Sequence, residues 1–189
     1  ITFMIMSVSW VTNAQETRYY DASKLTVIGK AIPTSKDFTR IDTSAYRFND
    51  SVIEEYACHS TGLAVLFATD SPFIKARWQT SDKNASENMT AIAQKGLDLY
   101  IRQNGEWVFA GVGRPMMSKG PEYASHASTI VKSMAPGRKE CLLYLPLYDR
   151  LDSLFIGVDD KSYIEPIDNP FRHRIVIKGS SVTHGLAAS

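Results

Sequence analysis

Ser181 has neighbours that suit it to nucleophilic chemistry. Ser181 follows the apolar residues 175–177 and Gly179, and Gly185 stands four residues beyond it. A strand that ends in a glycine-bearing turn before a helix points backbone N–H groups outward, where the helix dipole favours negative charge. A serine in that turn can present its Oγ to a substrate while its own N–H helps to bind an oxyanion. We therefore predict that Ser181 is a catalytic nucleophile whose backbone N–H belongs to the oxyanion hole.

The spacing around Ser181 differs from that of two other catalytic or binding turns. The G-x-S-x-G elbow is not met, because Thr183 stands where its second glycine would be. A Walker loop is excluded, because no Gly-Lys-Ser/Thr follows the glycine. His184 lies three residues after Ser181, and a helix would carry it along with the turn. We therefore expect His184 to support the turn or lie at the surface, and not to act as the base.

The residues GSSVTHG resemble the first sequence block of the SGNH (GDSL-type) hydrolases. Ser181 takes the nucleophile position, Gly179 and Gly185 take the positions of the flanking glycines, and Ser180 replaces the usual Asp. Upstream, GLDLY at residues 96–100 resembles the G-x-D-L-Y signature of the N-terminal domain that accompanies one group of SGNH-type esterases. The run NPFRHRIVIKGSSVTHG resembles the junction between that domain and its hydrolase domain.

The resemblance implies a mainly β chain. It predicts an antiparallel, jelly-roll-like β-sandwich at residues 16–170, followed at 171–189 by the first strand and nucleophile turn of a truncated three-layer α/β/α SGNH hydrolase domain. In such enzymes the serine N–H shares the oxyanion hole with a Gly and an Asn from later blocks, and a late Asp-x-x-His supplies the base. We expect those blocks beyond residue 189. The 189-residue piece should then be inactive, because a serine without its base is a weak nucleophile.

The substrates that the resemblance implies are small acyl esters, with acetyl esters and acylated carbohydrates as the expected examples, and no cofactor is expected. A second function stays open, in which the sandwich is a non-catalytic module that binds glycans. An Asp-x-x-His encoded about 150 to 200 residues downstream would favour the esterase, and its absence would favour the binding module. Trp78 and Trp107 could form a sugar-stacking platform. In the alternation of their strands, both occupy positions on the apolar face, so we predict that they pack in the core.

Short alternating segments separated by turns predict the sandwich between about residues 19 and 169. IKARWQT, residues 74–80, alternates apolar and polar side chains, as expected of a strand with one solvent-exposed face. LDLYIRQNGEWVF, residues 97–109, alternates on both sides of Asn104 and Gly105, which tolerate positive φ, so it predicts a hairpin. Within it, Asp98 is expected to be solvated or to brace a turn. ASHASTIVKSM, further on, predicts one or two helical turns.

The first fifteen residues predict a signal peptide. ITFMIMSVSW is an apolar run of h-region length, far short of a membrane span, and small and polar residues follow it. Cleavage after Ala14 is the preferred site, and the absence of an initial Met and of a basic leader suggests that the peptide is clipped. A buried N-terminal strand is the alternative, disfavoured because residues 4–6 do not alternate. We expect an exported protein, periplasmic or secreted, without a membrane span.

Charge and cysteine usage limit the partners. The chain carries 21 basic and 20 acidic residues, well mixed along the sequence, and this balance argues against a nucleic-acid partner. The charge pattern does not indicate whether the protein is a monomer or an oligomer. Cys58 and Cys141 could form a disulfide in an oxidising compartment or could be small buried hydrophobic residues, and both interpretations stay open. No CxxC spacing exists and the four His are scattered, which argues against a zinc site.

Overall fold

The structure is a computed structural model that describes residues 16–84, 87–116, 121–173 and 175–187. The predicted signal peptide lies outside the described residues. Within them, the chain forms ten strands, three short α-helices and two 3-10 turns. The strands are β1 (Thr17–Asp21), β2 (Thr26–Ile28), β3 (Ala64–Thr69), β4 (Ile74–Thr80), β5 (Leu97–Gln103), β6 (Glu106–Gly113), β7 (Ser125–Val131), β8 (Lys139–Tyr144), β9 (Leu151–Asp159) and β10 (Ile164–Pro166). The helices are α1 (Ser51–Ala57), α2 (Ala91–Lys95) and α3 (Ser181–His184), and the 3-10 turns are Ala22–Lys24 and Pro121–Ala124.

The strands form two antiparallel sheets, so the predicted antiparallel β-sandwich is confirmed. The first sheet has the order β1-β9-β4-β7. The second has the order β10-β3-β8-β5-β6, and β2 also pairs with β3. Most neighbours in these sheets are distant in sequence, so long-range backbone pairing holds the sandwich together. None of the helices among the described residues is long and apolar enough to cross a membrane.

The main core lies between the two sheets. β4 contributes Ile74, Ala76 and Trp78 from its apolar face, as the alternation in its sequence predicts. Trp78 is only 1% exposed, and its Nε1–H donates a hydrogen bond to the carbonyl oxygen of Lys95 at 2.9 Å. The prediction that Trp78 packs in the core is therefore confirmed. Cys141 also lies in this core and Cys58 is half-buried, and both thiols are free.

The hairpin predicted from Asn104 and Gly105 joins β5 to β6. Both residues have positive φ, 52° and 88°, which is the backbone of a type I′ turn. Only two residues separate Gln103 from its partner Glu106, so the turn sets the register of the pair. The local prediction was sufficient here because the turn residues themselves determine the geometry.

Two local predictions are corrected by long-range pairing. Trp107 lies on the outer face of the second sheet, where it packs against a small cluster of Ala64, Leu66 and Leu142. β6 carries apolar side chains on both faces, so the alternation of Trp107 and Phe109 assigned Trp107 to the wrong face. Trp107 pairs with the exposed Arg102, and directly paired residues lie on the same face of a sheet. The segment predicted to be helical forms β7 instead, because its backbone pairs with β4.

Candidate active site

The predicted nucleophile stands at the start of a single helical turn. α3 begins at Ser181, and its backbone bonds run from His184 N–H to Ser180 O at 3.2 Å and from Leu186 N–H to Ser181 O at 2.9 Å. The Ser181 side chain is exposed to solvent. Within the part of the chain that the structure describes, its hydroxyl makes no hydrogen bond. The helix start occurs at the predicted residue, and a base for the hydroxyl would have to come from elsewhere.

Each of the two motif glycines has a steric reason to be glycine. Thr183 folds back against Gly179, so that a Cβ at residue 179 would lie 2.7 Å from the Thr183 Cβ, too close for any real side chain. Gly185 ends the helix with φ 108°, in the left-handed region where a side chain is strained. The two glycines therefore allow the tight turn that carries Ser181.

The strand that was expected to lead into this turn is not formed. Residues 175–179 belong to neither a helix nor a sheet, and the side chains of Ile175, Val176 and Ile177 are 82%, 70% and 76% exposed. An extended segment becomes a strand only when another backbone lies alongside it. Among the described residues, no backbone pairs with this segment.

The turn is attached to the sandwich through His184. Its imidazole lies among the rings of Tyr56, His59 and Tyr148, with centroid distances of 5.5, 5.0 and 4.7 Å. The Nε2 atom of His184 is 3.1 Å from Nδ1 of His59, which is a hydrogen bond in which one ring donates and the other accepts. Gly185 faces Leu147, whose Cβ would lie 3.4 Å from a Cβ placed at residue 185. His184 is thus occupied in a contact with the sandwich, in agreement with the supporting role predicted for it.

Both histidines of this contact are neutral near pH 7. Burial lowers the pKa of His59 to about 3, with further lowering by the nearby His184 and Arg40. Burial, followed by the charge of Arg40, lowers the pKa of His184 to about 4. Burial also raises the pKa of Tyr148 to about 12. A neutral pair can share one proton in a hydrogen bond, whereas two imidazolium groups at this distance would repel each other.

His59 is held by backbone bonds at the end of the sandwich. It directly follows Cys58, the residue that caps α1, and its N–H donates to Tyr56 O at 3.2 Å. The next residue, Ser60, donates its N–H to Asp149 O at 3.1 Å and its hydroxyl to Pro146 O at 3.0 Å. His59 itself is 4% exposed. The side chain that receives His184 therefore belongs to a rigid part of the molecule.

A polar cavity of about 800 Å³ opens beside His59. Its walls come from the loop at 35–43, from α1, and from segments 81–83 and 149–152. Charged side chains of both signs line it, namely Lys36, Asp37, Glu54, Glu55, Lys83, Asp149, Arg150 and Asp152. Such a lining offers both hydrogen-bond donors and hydrogen-bond acceptors.

A buried ion pair supports the wall of this cavity that Asp149 lines. Nζ of Lys95 is 3.3 Å from Oδ2 of Asp149, and the two side chains are 0% and 3% exposed. Nζ also donates to Ser81 O at 2.6 Å, while the Ser81 N–H and hydroxyl donate to Asp149 at 3.2 and 3.0 Å. Burial lowers the pKa of Lys95 and raises that of Asp149, and their mutual attraction opposes both shifts. These bonds stabilise the cavity wall, because removing either partner would leave a buried charge.

Sequence reasoning missed His59, Tyr56, Tyr148 and the Lys95–Asp149 pair. His59 and His184 are 125 residues apart, and nothing in the spacing or type of their neighbours links them. A separate question is whether the site could hold a metal ion. In the part of the chain that the structure describes, no three His, Cys, Asp or Glu side chains converge to bind one.

A family model for GxDLY, the N-terminus of SGNH-type esterases, matches residues 17–164. The chain belongs to this family. The match covers the whole sandwich from β1 to the first residue of β10. The resemblance read from GLDLY is therefore confirmed, and the chain carries the N-terminal domain of an SGNH-type esterase.

The GxDLY residues have distinct positions in the fold. Gly96 ends α2, and a Cβ there would collide with Ile92 O. Leu97 and Leu99 point into the core and are 0% exposed. Asp98 lies on the solvent-facing side of β5, where partial burial raises its pKa. The signature thus begins at a helix end and continues as one strand of the second sheet.

The solved structures that resemble the chain include the following two. A protein from Bacteroides ovatus ATCC 8483, described as a GDSL-like lipase and solved at 1.40 Å resolution, is 43% identical with a TM-score of 0.84. The match covers 90% of this chain and 49% of that one, so this chain spans about half the length of that relative. The salicylyl-acyltransferase SsfX3 from a tetracycline biosynthetic pathway is 17% identical with a TM-score of 0.53, over 81% of this chain and 42% of that one, and shares the fold alone. No curated protein matches the chain.

Proposed function

We propose that this chain is part of an SGNH-type serine esterase in which Ser181 is the nucleophile. The observation that carries the proposal is the position of Ser181, exposed at the first residue of a helical turn between two sterically required glycines. Membership of the GxDLY family supports it, because the family is the N-terminus of SGNH-type esterases.

The reaction proceeds through an acyl-enzyme. Oγ of Ser181 attacks the ester carbonyl and its proton passes to a histidine encoded beyond residue 189, while the Ser181 N–H helps to stabilise the oxyanion. The alcohol leaves with that proton, and water then hydrolyses the acyl-serine. His184 is not the base, because its Nε2 is engaged with His59 and the environment keeps its pKa near 4.

The substrate class is acetyl or other small acyl esters of polar alcohols such as carbohydrates. The cavity beside His59 supports this class, since carboxylates and cations together can bind several hydroxyl groups. Acetylated sugars should therefore be turned over with a lower KM than 4-nitrophenyl acetate. Asp152→Asn, in the cavity wall, should raise the KM for the sugar ester and leave that for the small ester unchanged.

The decisive experiment replaces Ser181 in the protein made from its complete gene. Ser181→Ala should lower kcat for small acetyl esters by roughly 10³-fold or more, as loss of a triad member does in serine hydrolases. Ser180→Ala is the matched control and should have a much smaller effect. A fluorophosphonate should label Ser181, and the 189-residue piece alone should show no turnover above background. An active Ser181→Ala enzyme, or a label on Ser180, would refute the assignment.

Export belongs to the same proposal and rests on the apolar run before residue 15. N-terminal sequencing of the protein recovered from its host should give a start at Gln15 or Glu16. A mature product that still contains Met4 would contradict export by cleavage at this site.

A further inference from the structure

The nucleophile turn has few contacts other than those of His184. α3 contains four residues, and the side chains of Ser181, Val182 and Thr183 are exposed. The preceding residues 175–179 are exposed and unpaired among the described residues. The position of Ser181 relative to the sandwich therefore depends on the ring cluster and on one hydrogen bond, between His184 Nε2 and His59 Nδ1.

We propose that His59, a residue of the sandwich, is a positioning residue for catalysis: its imidazole holds His184 and thereby fixes the helical turn that carries Ser181. This inference rests on the proposed function and gives the sandwich a part in catalysis. Among the described residues of α3, His59 bonds to His184 and not to Ser181.

The geometry makes this coupling rigid. Ser181 and His184 belong to one closed turn, whose backbone bond from Leu186 N–H to Ser181 O is 2.9 Å long. A shift of His184 is therefore passed on to Ser181. On the other side, His59 is anchored through Ser60 to Pro146 and Asp149. Misplacing a reacting group by about 1 Å can cost roughly 100-fold in rate, so a small movement of the turn is sufficient to impair catalysis.

The positions of the two bonded atoms allow a matched set of variants. The side-chain amide of Asn reaches about the place of Nδ1 in histidine, whereas that of Gln reaches about the place of Nε2. Since His59 uses Nδ1, His59→Asn should keep the hydrogen bond, and His59→Gln and His59→Ala should lose it. Since His184 uses Nε2, His184→Gln should keep the bond and His184→Asn should lose it.

Steady-state kinetics on the complete protein with 4-nitrophenyl acetate test the proposal. His59→Ala and His59→Gln should lower kcat by roughly 10- to 100-fold with little change in KM, because the turn moves while the binding site stays. His59→Asn should recover most of the lost kcat, and fluorophosphonate labelling of Ser181 should follow the same order. Thermal unfolding of each variant separates this effect from loss of the fold.

His126 provides the control for a buried histidine without a contact to α3. It is 3% exposed, bonds to Thr80 Oγ1 at 2.9 Å and accepts the Met116 N–H at 3.2 Å. His126→Asn should lower the melting temperature and leave the labelling rate of Ser181 unchanged. If His59→Ala is folded and keeps kcat within about twofold of wild type, or if Asn and Gln at residue 59 behave alike, the positioning role is refuted. If Ser181→Ala stays active in the same assays, the proposed function itself fails, so the two failures are distinguishable.

Discussion

The sandwich and the segment from residue 171 to 187 contain similar apolar side chains in opposite environments. Ile74, Ile156 and Val158 in the sandwich are 0% exposed, whereas Ile175 and Val176 are 82% and 70% exposed. Both sets are β-branched residues that favour strands. The difference shows that composition alone does not make a strand, because the sandwich residues have backbone neighbours on adjacent strands and the later residues have none among those described.

The two regions also differ in how their parts are joined. In the sandwich, each inner strand is bonded along most of its length to two neighbours, as β4 is to β7 and β9. Among the described residues, the turn that carries Ser181 is joined to the sandwich by the rings around His184, by one side-chain hydrogen bond and by the position of Gly185 beside Leu147. A substitution should therefore destabilise the sandwich globally and the turn only locally.

The largest effect is expected for Trp78→Ala. It removes a 1%-exposed indole from between the sheets, so the free energy of unfolding should fall by about 3 to 5 kcal/mol. Val176→Ala is the matched change in the exposed segment and should alter that free energy by less than about 0.5 kcal/mol. Urea denaturation followed by tryptophan fluorescence and circular dichroism measures both. If both variants lost the same free energy of unfolding, the proposed difference between the sandwich and the segment from residue 171 to 187 would be refuted.

A smaller effect is expected for Gly105→Val in the hairpin of the sandwich. The residue has φ 88°, which a β-branched side chain adopts only with strain, so unfolding should become easier by about 1 kcal/mol or more. Gly105→Asn is the control, because Asn tolerates positive φ and should cost less. Denaturation midpoints decide between them. A neutral Gly105→Val would show that the register of β5 and β6 does not depend on this turn.

Mild acid should have the smallest effect on the stability of the sandwich, because it should act on the docking of the turn. The docked His184 has a pKa of about 4, whereas a released histidine titrates near 6.5. The released state therefore binds more protons between these values, so docking is complete above about pH 6.5 and weakens as the pH falls toward 4. The positive charge of Arg40 also lowers the pKa of docked His184. Lys83 has the same effect on His59, and its ammonium group is paired with Glu55.

NMR titration of the Gly185 amide and the His184 ring should show this release while the sandwich signals stay dispersed. His184→Gln has no proton to gain and should remove the pH dependence of the Gly185 signal. An unchanged Gly185 signal down to about pH 4.5 in the wild-type chain would contradict the expected weakening.

The parts of the fold that sequence predicts are those that local chemistry determines. The Asn104-Gly105 turn and the alternation of β4 were readable because each depends on residues next to one another. The α3 start at Ser181 was readable from its glycines. β7 and the outward orientation of Trp107 were not, because pairing partners far along the chain decide them. The same holds for His59, whose partner is 125 residues away and whose role exists only in the folded chain.

The first and ninth strands lie side by side, paired from Thr17 opposite Asp159 to Asp21 opposite Phe155. Just beyond them, the Asp160 N–H donates to Glu16 O at 3.2 Å, so the polypeptide enters and leaves this sheet at one place. This bond therefore ties the start of β1 to the connection that leads from β9 in the first sheet to β10 in the second. Proteolytic loss of β1 would expose an edge of β9 and release that connection.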